Sequence, residues 1–342
     1  MSKKANAGNA QGRPDIGGQA VLDGVMMKAP DAIAVAVRRP DGDIVVKREA
    51  YASPAKKHRW MGLPFIRGTV NMVQMLSIGM KTLSDSASMA GEEQEEPGKF
   101  EKWLAAKCGK SVDKIVMGVA MALAVVMSVG LFVVLPNLAV LLFPKEATGG
   151  MLLLKNLVTG LIRIALLIGY IALCGRIPEM RKTFQYHGSE HKTVYCHEHD
   201  LPLTPKNAQQ FSTLHPRCGT SFLVLTFILS ILVCTVFDWL MLQLFQVDMG
   251  GNYFLRLLSR VVLLPCIMGV GYEALKGLAH ADGPVVRALR WPGMQMQRLT
   301  TRQPTDEMCE VAIAAMNAAL HGLPEGEATP EGWVILHREA QA

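Results

Sequence analysis

Charge and aromatic rings are both scarce in this chain of 342 residues. Asp, Glu, Lys and Arg make up 19% of it, against roughly a quarter in a typical soluble domain, and Phe, Trp and Tyr make up 6%. No long basic stripe occurs, and the net charge of +6 (35 − 29) is small for the length. That excludes a nucleic-acid footprint but suits contact with anionic lipid headgroups. No two cysteines form a CxxC pair. The seven are scattered, at 108, 174, 196, 218, 234, 266 and 309, and three lie in apolar runs, which argues against a disulfide framework. The opening MSKKANAGNAQGRP lacks an apolar core, so 1–14 reads as a polar, disordered lead rather than a secretory signal. No P-loop, dinucleotide fingerprint or solenoid repeat is present.

What the chain does have is apolar length. Ile115 to Phe143 carries no charge over 29 positions (143 − 115 + 1), well beyond the ~20 residues that cross a bilayer. Four spans are expected: 112–143, with Pro136 late in it as a kink or an end; 151–175, interrupted by Lys155 and Arg163; 221–247; and 254–275, weakened by Arg256 and Arg260. Short connections pair them into two helical hairpins. Lys and Arg gather between spans two and three (Arg176, Arg181, Lys182, Lys192, Lys206, Arg217), before span one and after span four, while the outer tips offer Lys145. By the positive-inside rule both termini and the 176–220 loop face the cytoplasm. Asp238 and Arg260 fall at similar depth and read as an ion pair.

The remaining segments form a small cytoplasmic α+β portion. Within 15–59, AIAVAVRRPDGDIVVKREAY reads as a β-hairpin turning at Pro40-Asp41-Gly42. Residues 60–91 form an amphipathic helix, interfacial or re-entrant, or packed on the other helices. An acidic linker and lead-in follow over 92–111. The segment 280–342 is soluble in character, with a helix at about 305–321 opened by Thr305-Asp306-Glu307.

One loop concentrates the chemistry. YHGSEHK (186–192) contains H-x-x-E-H, in which His187 and His191 can ligate zinc while Glu190 activates a water. On a helix the two imidazoles would share a face, with Cβ atoms about 5–6 Å apart. Gly188 and Ser189 weaken that helix, and a catalytic zinc needs a third protein ligand. Residues 187–218 also hold Cys196, His197, His199, His215 and Cys218, so five of the nine histidines lie there. Cys218, just before span three, is a ligand, a reactive thiol or a turn residue. Glu273, near the cytoplasmic end of span four, is a third-ligand candidate, or the partner of Arg176 or Arg217. The bland alternative is a histidine-rich loop that hydrogen-bonds at a headgroup surface. GGQAVLDGVMMKAP (17–30) permits close backbone approach, and Asp23 or Gln19 could reach the histidines.

GGQAVLDGVMMKAP, AVAVRRPDGDIV (34–45), YHGSEHK, STLHPRCGTSF (212–222), GYE (271–273) and LTTRQPTDEMCEVAIAAM (299–316) together resemble the YqhQ-like bacterial membrane proteins, a domain of unknown function, over roughly 15–320. That family is described as predicted metal-dependent enzymes. The resemblance implies a bacterial cytoplasmic membrane location and a site at His187, Glu190, His191, His215 and Cys218. The expectation is therefore a mainly α-helical polytopic membrane protein, acting as a hydrolase that uses zinc or another divalent transition metal at the cytoplasmic face. Glu190 would serve as base, and the ligands would be His187 and His191 with His215, Cys218 or Glu273. The rival is a non-catalytic factor that assists other membrane proteins, with any metal structural. A transporter comes third.

Overall fold

Valine, isoleucine, alanine and methionine dominate residues 21–46, and this segment folds into a meander rather than a single hairpin. The strands are β1 (Gly17–Val21), β2 (Gly24–Lys28), β3 (Ala32–Arg38) and β4 (Ile44–Ala50). The computed structural model of the chain describes residues 16–54, 58–91, 112–144, 149–249, 251–281 and 283–337. The expected lead (1–14), the acidic linker (92–111) and Lys145 lie outside them.

The β3–β4 turn falls where Pro40-Asp41-Gly42 predicts, with Gly42 at φ 95°. The β1–β2 turn is two residues, Leu22 and Asp23, and Asp23 takes φ 48°, a conformation that aspartate tolerates. Two short strands near the other end of the chain, β5 (Glu327–Ala328) and β6 (Val334–Leu336), add to β4. The sheet is antiparallel throughout, in the order β1-β2-β3-β4-β6-β5.

Both faces of the sheet are apolar because alternate side chains point opposite ways. Val25, Met27, Ala34, Ala36, Ile44 and Val46 meet α9 (Asp306–His321) and the middle of α4 (Pro178–Glu198), through Tyr186, Val194, Val311, Ala315 and Met316. On the opposite face, Val21, Met26, Val35, Val37 and Val45 pack with Trp333 and with Met75, Ile78 and Met89 of α1 (Ile66–Met89). Each fully buried side chain of this size contributes about 1.5–3 kcal/mol. The segment expected as interfacial or re-entrant thus lays one face on the sheet. Helix α9 starts as its sequence indicates: Thr305 caps it by accepting from the Met308 amide at 3.3 Å, and Asp306 and Glu307 meet the positive end of its dipole.

The apolar segments are helical. Helix α2 (Val112–Val129) runs through a wider turn at Gly130–Val134 into Leu135–Leu138, where Pro136 occupies the first turn, and the apolar stretch ends at Leu142. Helices α3 (Gly149–Cys174) and α5 (Gly219–Phe245) are straight candidates for spans. Helices α6 (Tyr253–Val262) and α7 (Leu264–His280) meet at 47°, so three helices are long and apolar enough to cross a membrane, or four if the bent pair is one span. Pro265, which has no amide hydrogen to donate, sits in the first turn of α7 beside that break. Helix α8 (Pro284–Thr300) leads on to α9.

The chain divides into two units, one of 1–91, 170–226 and 268–342, the other of 92–169 and 227–267. In the second, apolar side chains such as Leu123, Val126, Leu232 and Leu244 are exposed while polar ones are buried. Arg260 grips Asp238 with two bonds, at 2.6 and 3.0 Å, so the pair read from depth is joined. Arg256 reaches the same carboxylate at 3.3 Å, and Asn156 accepts from both guanidiniums, at 2.7 and 3.1 Å. Charges buried this way need such a satisfied network.

Residues 178–198 of the expected 176–220 loop form helix α4. Pro178 and Glu179 favour its first turn. Ser189 Oγ is absorbed by the Tyr186 carbonyl at 2.7 Å. At Gly188 a Cβ would collide with the carbonyl oxygen of Arg302, whose own amide donates to the Phe184 carbonyl at 2.9 Å. The glycine that weakens the isolated helix lets the 300–304 segment lie against it. Gly→Ala in a helix ordinarily stabilises by about 1 kcal/mol. Here Gly188→Ala is expected to destabilise by about 1–3 kcal/mol through overpacking, read as a lower melting temperature in detergent; an unchanged or raised value would contradict the contact.

Candidate metal centre

His187 and His191 sit one turn apart on α4 and share a face, with ring centroids 4.5 Å apart. Each ring is oriented through Nδ1 by a carbonyl. His187 Nδ1 lies 2.8 Å from the Thr300 oxygen at the end of α8, and His191 Nδ1 lies 2.5 Å from the Thr213 oxygen. A carbonyl only accepts, so each ring carries a proton on Nδ1, and the neutral tautomer presents its Nε2 lone pair. Such backbone anchoring typically fixes a metal-ligating histidine.

Both lone pairs converge on a third donor. Cys218 Sγ lies 3.3 Å from His187 Nε2, and the three candidate ligand atoms lie within 4.8 Å of one another. A tetrahedron with ordinary zinc–nitrogen and zinc–sulfur lengths has edges of roughly 3.3–3.6 Å. Cys218 is held in a turn: its amide donates to the His215 carbonyl at 3.3 Å, and the Ser221 amide donates to the Cys218 carbonyl at 3.1 Å. The Thr220 amide donates to the sulfur from 3.4 Å.

Glu190 completes the group. Its Oε1 accepts from the Gly18 amide at 3.0 Å, while Oε2 lies 3.8 Å from His187 Nε2 and 3.7 Å from His191 Nε2. His191 Nε2 is buried with no hydrogen-bond partner. Two imidazole lone pairs, a sulfur and a carboxylate oxygen therefore face one another, and a buried polar atom left this way is costly unless a cation or proton fills the gap. The donor set, two imidazoles and a thiolate with a carboxylate beside them, fits zinc.

Of the candidates read from the sequence, His187, His191, Cys218 and Glu190 come together. His215 lies beside them, its ring centroid 5.7 Å from that of His191, but both its nitrogens are engaged. Its Nε2 faces Glu198 Oε1 at 3.2 Å, and its Nδ1 accepts from the Arg217 amide at 3.3 Å. Burial pushes the Glu198 carboxyl up, but the hydrogen bond and charge of His215, together with Arg217, outweigh it and hold the group below the usual range. Glu273 is taken by Arg67, in a fork at 2.7 and 2.5 Å, rather than by Arg176 or Arg217. His199 turns to the Tyr195 carbonyl, and Cys196 to the Pro202 carbonyl.

Several supporting residues escaped sequence reasoning. Gln297, buried in α8, accepts from the His215 amide at 2.7 Å and donates to the His215 carbonyl and to Ser221 Oγ, at 2.8 and 2.9 Å. It can do so because α8 approaches α5 where Gly293 meets Ser221. Tyr195 donates to the Leu214 carbonyl at 3.0 Å, and burial pushes its phenol up to about 12, so it stays a donor. The approach anticipated for GGQAVLDG is made by Gly18, where a Cβ would lie 2.8 Å from Glu190 Cγ. Asp23 reaches α4 at Lys182, 2.5 Å away, and the Gln19 side chain lies against Gly79 of α1.

An antiparallel sheet packed between helices, apolar helices of membrane-spanning length and an oriented His/His/Cys group define the class: a membrane-type helical protein with a candidate metal centre. The chain belongs to the family described as "Protein of unknown function (DUF1385)", whose model matches residues 63–322 and so includes every residue of the cluster. It is similar to "Uncharacterized protein YqhQ" of Bacillus subtilis (strain 168), with 32% identity over 311 residues, covering 90% of this chain and 92% of that one. No solved structure matches the chain.

Gln297→Leu keeps the side-chain size but removes the partner of the His215 amide and of Ser221 Oγ, and leaves the His215 carbonyl with the Cys218 amide alone. A loss of about 2–3 kcal/mol is expected, read by denaturant or thermal melting in detergent, and a neutral variant would remove Gln297 from the account.

Proposed function

We propose that the protein is a metal-dependent hydrolase of the bacterial cytoplasmic membrane, working at its cytoplasmic face with zinc or another divalent transition metal. His187 Nε2, His191 Nε2 and Cys218 Sγ are the ligands. The observation that carries this reading is the buried, unpartnered Nε2 of His191, aimed with His187 and Cys218 at one point. The bound metal would supply Lewis acidity toward a carbonyl or phosphoryl oxygen. Glu190 has its Oε1 fixed by Gly18, which leaves Oε2 to take the proton of the attacking water and pass it to the leaving group. The substrate is a peptide bond of a membrane protein or a lipid-linked ester. The exposed apolar and buried polar side chains of the second unit support bilayer residence, and the placement of Lys and Arg supports cytoplasmic termini.

A second reading is favoured by burial: Glu190 is only 5% exposed and His191 1%. With Glu190 Oε2 as a fourth ligand the site is closed, and the protein is a non-catalytic factor for other membrane proteins.

Metal analysis and cobalt substitution separate the two. The hydrolase reading expects about one metal per chain. His187→Ala and Cys218→Ser should lower occupancy at least about tenfold, while Glu190→Gln retains the metal. Azide should shift the visible spectrum of the cobalt form through an open position. A metal-retaining wild type without an azide response, together with loss of metal in Glu190→Gln, would support the closed site instead. Metal-free protein purified without chelator would sink both.

A further inference from the structure

Helix α1 is apolar on two faces, and only one is covered by the sheet. Trp60 and Leu63, just before it, and Phe65 and Ile66, at its start, are exposed, as are Val73 and Leu76 further along; Trp60 and Phe65 are each 55% exposed. Ile66, Val73 and Leu76 recur at helical spacing, so they continue one stripe.

The N-terminal end of α1 is fixed to α7 by close backbone approach. A Cβ at Gly269 would lie 2.5 Å from the Phe65 carbonyl oxygen, and one at Gly68 would lie 2.6 Å from Tyr272 Cβ. Small residues at a helix crossing are typical of packing within membranes. Arg67 forks Glu273, whose Oε1 also accepts from the Phe65 amide at 3.3 Å. Asn71 donates to the Tyr272 hydroxyl at 3.1 Å. These contacts hold Phe65 at φ 67°, a left-handed backbone conformation that side chains other than glycine rarely adopt.

Depth follows from this anchoring. Gly269 precedes Leu278, where the apolar pair ends, by 9 residues (278 − 269). That is about 13 Å of helical rise, close to the roughly 15 Å of one hydrocarbon leaflet. A cluster of Trp60, Leu63, Phe65 and Ile66 at that level would face acyl chains.

We propose that residues 60–66 insert into the hydrocarbon of one leaflet, so that α1 joins the sheet to the bilayer. This rests on the reading that α6 and α7 together cross the membrane. It does not depend on the metal centre.

Tryptophan quenching in reconstituted vesicles tests it. Trp333 is buried beneath the sheet and stays in every variant as the folding reference. One variant keeps Trp60 with Trp333, a second keeps Trp239 of α5 with Trp333, and the other tryptophans become Phe. Phosphatidylcholine with brominated acyl chains should quench Trp239 and remove roughly half of the Trp60 emission, as for a ring among the acyl chains with Trp333 supplying the rest. Aqueous acrylamide should then spare Trp60. If Trp239 is quenched and Trp60 responds only to acrylamide, residues 60–66 face water and the proposal fails while the span reading stands. If Trp60 is shielded from both quenchers, a protein partner or a second copy covers it, and the proposal is again overturned. If brominated lipid quenches neither residue, the span reading fails and takes the proposal with it.

Discussion

Ser189, Glu190, His191, Lys192 and Thr193 are five consecutive polar residues, and all are buried. Desolvating such a run in the middle of a helix is strongly unfavourable unless partners arrive from elsewhere. The first unit meets that requirement at Glu190, His191 and Lys192, while the Thr193 hydroxyl has no hydrogen-bond partner among the described residues. Gly18 of β1 supplies an amide to Glu190, and Thr213 a carbonyl to His191. Gln209 and Phe211 turn their carbonyls to the Lys192 ammonium, whose pKa is lowered by its loss of water. Each partner lies far from α4 along the chain or across a turn, so closing these bonds draws the sheet and the 200–218 segment to one place, and the His187 bond to Thr300 adds α8.

That constraint also explains the orientation of the candidate centre. A histidine free to rotate would choose whichever nitrogen met water, whereas His187 and His191 have Nδ1 committed to backbone oxygens. Their remaining nitrogens therefore turn inward, toward the sulfur that the His215–Cys218 turn presents. His215, Glu198 and Gln297 stand behind this turn as its supports. Mutating a support should loosen the geometry without removing a donor atom, a distinction that ligand substitutions alone cannot reveal.

The apolar helices were legible because composition and length suffice for them, and Pro136 marked the place where α2 loses its regularity. The β3–β4 hairpin was legible from its turn chemistry. Helix α4 was not: Gly188 and Ser189 argue locally against it, and only the passage of Arg302 over the glycine explains why the helix wins. Strands β1 and β2 are short and glycine-bounded, and β6 pairs with β4 across most of the chain, so no local pattern announces the full sheet. At the site, the H-x-x-E-H letters named three of the four residues that converge. The sequence left His215, Cys218 and Glu273 as alternatives for the third ligand, since all three are plausible donors at one membrane face. What separates them is their other partners: His215 has two nitrogen contacts and Glu273 has Arg67, while Cys218 faces the histidines.

X-ray absorption at the metal edge of the purified, detergent-solubilised protein reads the identity of the ligands without a substrate. A centre held by His187, His191 and Cys218 should give a first shell of two nitrogen scatterers and one oxygen scatterer at about 2.0–2.1 Å and one sulfur at about 2.3 Å, with the sulfur lost in Cys218→Ser. A shell without sulfur, or one unchanged by that substitution, would contradict it.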